Sequence, residues 1–421
     1  MTPRTIWLVN PYGPLPNEGW RETRYAMMAD HLARCGHDVT WWTSDYSHHS
    51  KRFRSAIPNS QIDLPYTIRL VRTPPYRRHI GIRRLLFEVT FAVRIYLEAM
   101  RARPPELIIS GDTTMATSVA STALARRHGA KLVFDIIDLY PEIFATIFPK
   151  RCRSVSRVLL WPLFCVRRRH FLRADAIMAV CREYLAIGPI IPTECSAIPL
   201  IPVYWGVDVD ELRRVRPVAE GCLDSGAGVP HTEGEVRVVY AGTLGAKYDI
   251  ESLMEAALAL QKDQPSIKFV IAGDGPRRTQ LESYILQHGL SNVLVLGPVA
   301  PQRLAALYRQ CDIGLCLYSS GSTVAMPIKA FDYFAAGLPV ISSVTGELQE
   351  VLSREHTGLT YVAGVSGSLT QALIQLSADA QLRSAMAQNS HRLAMTFDKR
   401  NQYCLVSELV ERLMSAGRTL A

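Results

Sequence analysis

An α/β protein with two doubly wound parallel sheets is the fold class predicted by this 421-residue sequence, and three observations carry that prediction. Short apolar runs alternate with amphipathic helical stretches, the order that builds parallel sheets covered by helices. The alternation occurs twice, in halves separated by CLDSGAGVPHTEGE (Cys222–Glu235), a stretch rich in Gly, Ser, Pro and acids with no periodicity. The length also exceeds what one hydrophobic core usually supports.

In the first half TIWLVN, DVTWWT, ELIIS, KLVFDI and AIMAV read as strands; in the second, RVVYAG, KFVIAG, NVLVLG, IGLCL and LPVIS do. The predicted organisation is a first domain over 1–221, a linker over 222–235, a second domain over 236–390, and a helical segment over 391–421 that crosses back to the first domain. In GSTVAMPIKAFDYFAAGLPVIS (Gly321–Ser342), Pro327 suits a first helical turn and Gly337 with Pro339 stops the helix before a short strand. Two facing Rossmann-like domains of this kind bind ligands in the cleft at the carboxyl ends of their strands. Site candidates are therefore sought just past strands.

Composition narrows the function classes. Nearly half of the residues are hydrophobic, with no uncharged apolar run long enough to span a bilayer. The N-terminus runs directly into a strand-like segment rather than a leader pattern, so a cytoplasmic protein is expected. The nine cysteines are scattered singly, and only Cys311 and Cys316 come close together, so buried free thiols are expected and neither a metal site nor a disulfide framework. The net charge of +9 is concentrated. Residues 51–104 hold 12 Lys/Arg against 3 acids and residues 150–173 hold 8 against none, which leaves the remainder net negative. One face meeting a polyanion is the expectation, an anionic lipid surface being favoured over nucleic acid because no recognition motif or interleaved aromatic platform accompanies the arginines. A solvated face without a partner is the plain alternative.

Five stretches carry candidate chemistry. AGTLGAKYD places Gly242 and Gly245 where backbone can approach an anion, with Lys247 beside them. AGDGPRR lacks the full dinucleotide fingerprint, and Asp274 and Gly275 read better as capping and turn residues. FDIIDLYPE sets Asp138 just past a strand, either as a working carboxylate or as a helix N-cap. PYGPLPNEGWRETRY is a Gly/Pro-rich loop leading into a helix with Arg21 and Arg24. Lys329 and Asp332 share one face near a helix start where backbone N–H groups are unpaired; a simple surface ion pair is the other reading.

Seven strings in register now carry a resemblance: RYAMMADHLARCGHDVT, DLYPE, ADAIMAVCREY, YWGVDVDEL, YAGTLGAKYDIESLMEAA, IAGDGP and MPIKAFDYFAAGLPVI. The chain resembles a family-four retaining glycosyltransferase of GT-B architecture, in the style of bacterial amino-sugar transferases of cell-surface polysaccharide assembly. The resemblance implies a nucleotide-sugar donor, with UDP expected as the carrier, and a lipid-linked or glycan acceptor. It makes Ser322, Thr323, Val324 and Ala325 a backbone cradle for the diphosphate, Lys329 and Lys247 its neutralisers, Asp332 the ribose acceptor, and Val299 the position whose backbone reads the base. Asp138 matches the family's catalytic-side position, while Gly19, Arg21 and Glu142 fall on the acceptor side. The family often carries two glutamates eight positions apart where this chain has Val324 and Asp332, so a contact to the transferring sugar is missing. No metal or other cofactor is expected, since lysines already neutralise the diphosphate. A sugar-nucleotide epimerase and a non-catalytic sugar- or lipid-binding protein share the architecture and stay open; a dehydrogenase is disfavoured by the missing glycine fingerprint.

The two basic segments predict peripheral attachment at the inner face of the cytoplasmic membrane. Leu86, Val89, Val93, Tyr96, Leu97 and Met100 recur at helical spacing as a packed face, with Arg77, Arg78, Arg83 and Arg84 crowded at the helix start, where cations oppose the helix dipole. In RVLLWPLFCVRRRHF, Trp161 and leucines interleave with Arg167, Arg168 and Arg169, the pattern of an interfacial anchor.

Overall fold

The computed structural model describes residues 2–16, 18–19, 23–54, 63–78, 81–145, 153–186, 197–214 and 234–415. The chain divides into two units, Met1–Trp205 with Gln402–Ala421, and Gly206–Asn401.

The first unit holds a seven-stranded sheet: β1 (Thr5–Val9), β2 (Asp38–Ser44), β3 (Thr67–Val71), β4 (Leu107–Gly111), β5 (Lys131–Ile136), β6 (Ala176–Ala179) and β7 (Leu200–Pro202). The order is β3-β2-β1-β4-β5-β6-β7, with every pairing parallel. Its central strands are buried along their whole length because helices cover both faces, which is why they read as unbroken apolar runs. The second unit holds β8 (Val236–Ala241), β9 (Ile267–Ala272), β10 (Val293–Gly297), β11 (Ile313–Cys316), β12 (Val340–Ser342) and β13 (Gly358–Thr360). They run in the order β10-β9-β8-β11-β12-β13, again all parallel. Both sheets reverse their winding once, between β1 and β4 and between β8 and β11, and those switch points open crevices at the strands' carboxyl ends.

Three strands escaped the sequence pattern: β3, β7 and β13. All are sheet edges, where half the backbone needs no apolar cover and runs of three to five residues suffice.

The boundary between units falls at Trp205/Gly206 rather than in the 222–235 segment, which up to residue 233 lies outside the described residues. Val207 is already part of the second unit: it bridges Asp398, and its N–H donates to the Phe397 carbonyl at 3.0 Å. The C-terminal region is two helices, Ala380–Thr396 and Lys399–Ser415, and the chain returns to the first unit at Gln402 rather than at 391. There Tyr403, Val406, Leu409 and Val410 join the core formed by Tyr25, Met28 and Leu32.

The helix Ile82–Ala99 reverses the expected orientation. Phe87, Glu88, Phe91, Ala92, Ile95 and Ala99 are its buried residues, while Ile82, Leu85, Leu86, Val89, Val93 and Leu97 are exposed. The sequence offers two apolar faces on this helix, and the aromatic one enters the core because Phe87 packs with Tyr46 and Tyr76.

Candidate functional site

The second sheet's switch point is built from the ends of β8 and β11. Beyond β8, Gly242 has a φ of +149°, a left-handed-side conformation suited to glycine. Tyr240 Oη donates to the Thr243 carbonyl at 2.7 Å, closing the loop on itself. Gly273 and Gly275 of the AGDGP turn are needed for a different reason: side chains there would run into the backbone carbonyls of Gly242 and Leu244. Asp274 caps its own turn, accepting from the Gly275 N–H at 2.8 Å. These glycines thus press two loops together rather than cradle a dinucleotide. Gly245 is different, since a β-carbon there would make only ordinary contacts.

Beyond β11, Ser319 N–H donates to the Lys247 carbonyl at 3.0 Å and Ser319 Oγ to the Ala246 carbonyl at 3.2 Å, which stitches this loop to the β8 loop. Lys247 itself is exposed. The helix Ile328–Ala336 follows, opened by Pro327 and stopped by Gly337 with a φ of +75°, as the sequence predicts. Its Lys329 points back toward β8. The residue is half-buried, yet its ammonium is enclosed and makes no hydrogen bond, to Asp332 or to any other described residue. The surface-pair reading of Lys329 and Asp332 is therefore corrected. Nζ sits 2.7 Å from where a β-carbon would stand on Gly242 and 4.1 Å from the centre of the Tyr240 ring. Burial lowers its pKa to about 8, opposed by the nearby Cys316 and Asp332.

Asp332 is buried on the same helix. The expected amide cradle is partly spent: Ser322 N–H donates to the Ser319 carbonyl at 3.1 Å and Val324 N–H to Ser322 Oγ at 3.3 Å. Thr323 is exposed, and Ala325 is buried with its carbonyl accepting from Leu348 N–H at 3.2 Å. Val299 is half-buried just past β10. The second unit thus gathers Gly242, Lys247, Lys329 and the Ser319–Ser322 turn around one switch point. The tyrosines there were not singled out in the sequence, although Tyr240 and Tyr248 both lie within YAGTLGAKYD.

In the first unit, Gly19 is exposed with a φ of +74°, and Arg21 lies outside the described residues. Arg24 is fully buried and forks onto Asp135, with Nε and Nη2 each 2.8 Å from a carboxylate oxygen, so it is a structural cation. Asp138 is exposed just past β5, and its carbonyl accepts from Tyr140 N–H at 3.0 Å. The next helix begins only at Glu142, so Asp138 is not the residue that caps it.

Glu142 and Arg167 correct two expectations at once. Arg167 is 2% exposed and donates to both Glu142 carboxylate oxygens, at 2.7 and 2.6 Å, and to the Tyr140 carbonyl at 2.7 Å. It is a buried ion-pair partner and not part of a membrane face, and Glu142 is its counter-ion before it is anything for an acceptor. Asp112, at the carboxyl end of β4, was missed altogether. It is 1% exposed, with one oxygen accepting from Ser118 Oγ at 2.9 Å and the other without a hydrogen-bond partner among the described residues. Burial pushes its pKa up to about 6, Arg167 opposing.

Arg84 is likewise committed, donating to buried Glu88 at 3.0 Å and lying over the Tyr12 ring. Arg77, Arg78, Arg83, Arg168 and Arg169 are exposed, as are Val158, Leu159 and Trp161 on the helix Arg153–Phe171. Among the described residues no helix is long and apolar enough to cross a membrane, and no cluster of metal-ligating side chains occurs.

Two family models match the chain: the glycosyl transferase 4-like domain over residues 22–187, and glycosyl transferases group 1 over residues 227–393. UDP-glycosyltransferase TURAN of Arabidopsis thaliana is 31% identical over 102 residues, 24% of this chain and 22% of that protein. The chain thus spans about a fifth of that relative's length. The colanic acid biosynthesis glycosyl transferase WcaI of Escherichia coli is 26% identical over 61% of this chain and 62% of its own. Among solved structures, sucrose-phosphate synthase from Thermosynechococcus elongatus superposes with a TM-score of 0.72 at 16% identity, covering 98% of this chain and 100% of that one. Anabaena HepE in complex with UDP-glucose superposes with a TM-score of 0.69 at 17% identity, covering 97% and 100%. With two parallel-sheet units in the GT-B arrangement of strands and both halves matched by glycosyl transferase models, the chain belongs to the family-four glycosyltransferases.

Proposed function

We propose that the protein transfers a sugar, with retention of configuration, from a UDP-linked donor to a lipid-linked or glycan acceptor in cell-surface polysaccharide assembly. One observation carries the donor side: a buried ammonium, Lys329, held beside Gly242 at the switch point of the second sheet with no hydrogen-bond acceptor among the described residues. An unpaired buried cation is costly, and an arriving diphosphate removes that cost. Lys247 supplies a second charge from the same loop, the Ser322–Ala325 turn bounds the diphosphate, Asp332 takes the ribose, and Val299 borders the base. The HepE structures with UDP and UDP-glucose support this choice of carrier, those ligands being HepE's own.

For the transfer step, the leaving diphosphate accepts the proton of the incoming hydroxyl on the same face of the sugar, so the protein contributes positioning and electrostatics rather than a nucleophile. Lys329 and Lys247 stabilise charge as it develops on the diphosphate, and Asp138 is assigned to the oxocarbenium-like sugar. No metal has a part in this scheme.

Attachment to the inner face of the cytoplasmic membrane belongs to the same proposal. The exposed apolar rows of the Ile82–Ala99 and Arg153–Phe171 helices, both packed against the helix Met115–His128, are bordered by Arg77, Arg78, Arg83, Arg168 and Arg169. Apolar side chains flanked by arginines suit an anionic leaflet, at about 1 kcal/mol per basic residue. WcaI, named for colanic acid biosynthesis, supports a place in cell-surface polysaccharide assembly, that pathway being WcaI's own.

A panel of nucleotides and nucleotide sugars tests the donor side: UDP species should raise the melting temperature, and NMR of the product should find the donor's anomeric configuration kept. Stabilisation by no nucleotide, or an inverted product, would sink the corresponding half of the proposal.

A further inference from the structure

The Lys329 ammonium is surrounded by three tyrosines from separate places: Tyr240 of β8, Tyr248 of the turn that follows, and Tyr318 of the loop after β11. Their ring centres lie 4.1, 5.0 and 5.7 Å from Nζ, all within the range at which a cation is drawn to an aromatic face. A buried ammonium is ordinarily balanced by a carboxylate bonded to it. Here Nζ has no hydrogen-bond acceptor among the described residues, and the rings take that place. The difference has a chemical consequence, because aromatic quadrupoles stabilise a positive charge without neutralising it. A lysine bonded to a carboxylate must give up a partner to bind an anion; a caged one need not.

The rings are themselves held. Tyr240 is fixed by its bond to the Thr243 carbonyl, Tyr248 and Tyr318 pack at 5.1 Å between centres, and Tyr318 N–H donates to Ser343 Oγ at 2.8 Å. The other groups that act on the ammonium are Cys316 of β11 and Asp332 of its own helix. Burial pushes the Cys316 thiol up to about 12, so it stays neutral.

We propose that Tyr240, Tyr248 and Tyr318 are positioning residues that hold the Lys329 ammonium charged and unpaired for the diphosphate of the donor. This inference rests on the donor reading above. With the lysine pKa lowered to about 8 in the free protein, an arriving diphosphate draws a proton onto it, so binding weakens as pH rises past that value.

Calorimetric titration with UDP at about pH 6.5 to about pH 9.5 tests the cage in the full-length protein, with Tyr318→Leu, Tyr318→Phe, Tyr248→Leu, Tyr248→Phe and Lys329→Arg. In parallel, the Lys329 side-chain NMR resonance is titrated without ligand. Wild-type affinity should fall by up to about tenfold per pH unit above the lysine midpoint, as one linked proton requires. The leucine variants, which keep bulk but lose the aromatic face, should bind about fivefold more weakly near neutrality and begin to weaken at lower pH, while the phenylalanine variants follow the wild type. Lys329→Arg should flatten the profile, since guanidinium does not titrate in this range. Leucine variants that match the wild type in affinity and profile would overturn the cage. The two readings fail separately: wild-type protein that binds neither UDP, a UDP-sugar nor pyrophosphate sinks the donor reading, whereas ring variants without effect on a protein that binds UDP sink the cage.

Discussion

Gly242 and Lys329 are in contact across the second sheet's switch point, the ammonium standing 2.7 Å from the position of a β-carbon on the glycine. An alanine at 242 meets two obstacles, a φ of +149° that a side chain strains to adopt and a lysine head that must move. Gly242→Ala should therefore weaken UDP binding about tenfold or more and cost roughly 1–3 kcal/mol of stability. Gly245→Ala is the control and should do neither, because its side chain has room. Calorimetry and urea melts of the two variants decide the matter.

Lys329 trades stability for charge. Its pKa is lower in the folded chain, about 8 against 10.5, because burial disfavours the ammonium. Both states are protonated below about pH 8, so the cost is present there in full; it is relieved as pH rises from about 8 toward the ordinary value. Lys329→Met should be more stable than wild type at pH 7, by on the order of 2 kcal/mol, with the gain shrinking at higher pH. Its sugar transfer should fall by about 100-fold or more. Lys247→Ala should lose transfer as severely without any stability gain, since Lys247 is exposed. Normal turnover in either variant would remove that lysine from the diphosphate.

The arginines fall into two classes, and one assay separates them. Arg167→Ala leaves Glu142 without its bidentate partner and should destabilise the protein by roughly 3–5 kcal/mol, as removal of one member of a buried pair does. Glu substitutions at the exposed Arg77, Arg78 and Arg83 should leave melting nearly unchanged yet abolish flotation with anionic liposomes. Flotation with neutral lipid, or indifference to salt and to these charges, would argue against a membrane face.

Asp112 predicts a stability change of opposite slope to that of Lys329. Its folded pKa, about 6, lies above the ordinary 3.8, so the folded state holds the proton more tightly. Stability is lost as pH rises through that interval and stays lost above it. Asp112→Asn keeps the acceptor for Ser118 and removes the buried charge. The variant should thus gain over wild type by on the order of 2 kcal/mol between about pH 4 and about pH 7, measured by denaturant melts at both. A pH-independent difference would mean that the carboxyl does not titrate there.

Asp138→Asn should lower turnover with donor affinity nearly intact, since the carboxylate is assigned to the transition state. Unchanged turnover, read from initial rates at saturating donor, would withdraw the assignment.

Ten of the thirteen strands among the described residues, the doubly wound class and the Pro327-to-Gly337 helix were determined by the sequence itself, because local periodicity and turn residues specify them without reference to anything distant. Gly242 and Lys329 were legible separately for the same reason. Their contact was not, since it joins residues 87 positions apart through the order of β8 and β11 in the sheet. Tertiary structure also decided which charges were for use. Arg24 and Arg167 look like their exposed neighbours in sequence, and only packing gave them Asp135 and Glu142. The Ile82–Ala99 helix makes the same point, carrying two apolar faces of similar period, one of which the aromatic cluster around Tyr46 and Tyr76 drew inward. Periodicity reports that a face is apolar; what covers it depends on partners that the chain brings together only by folding.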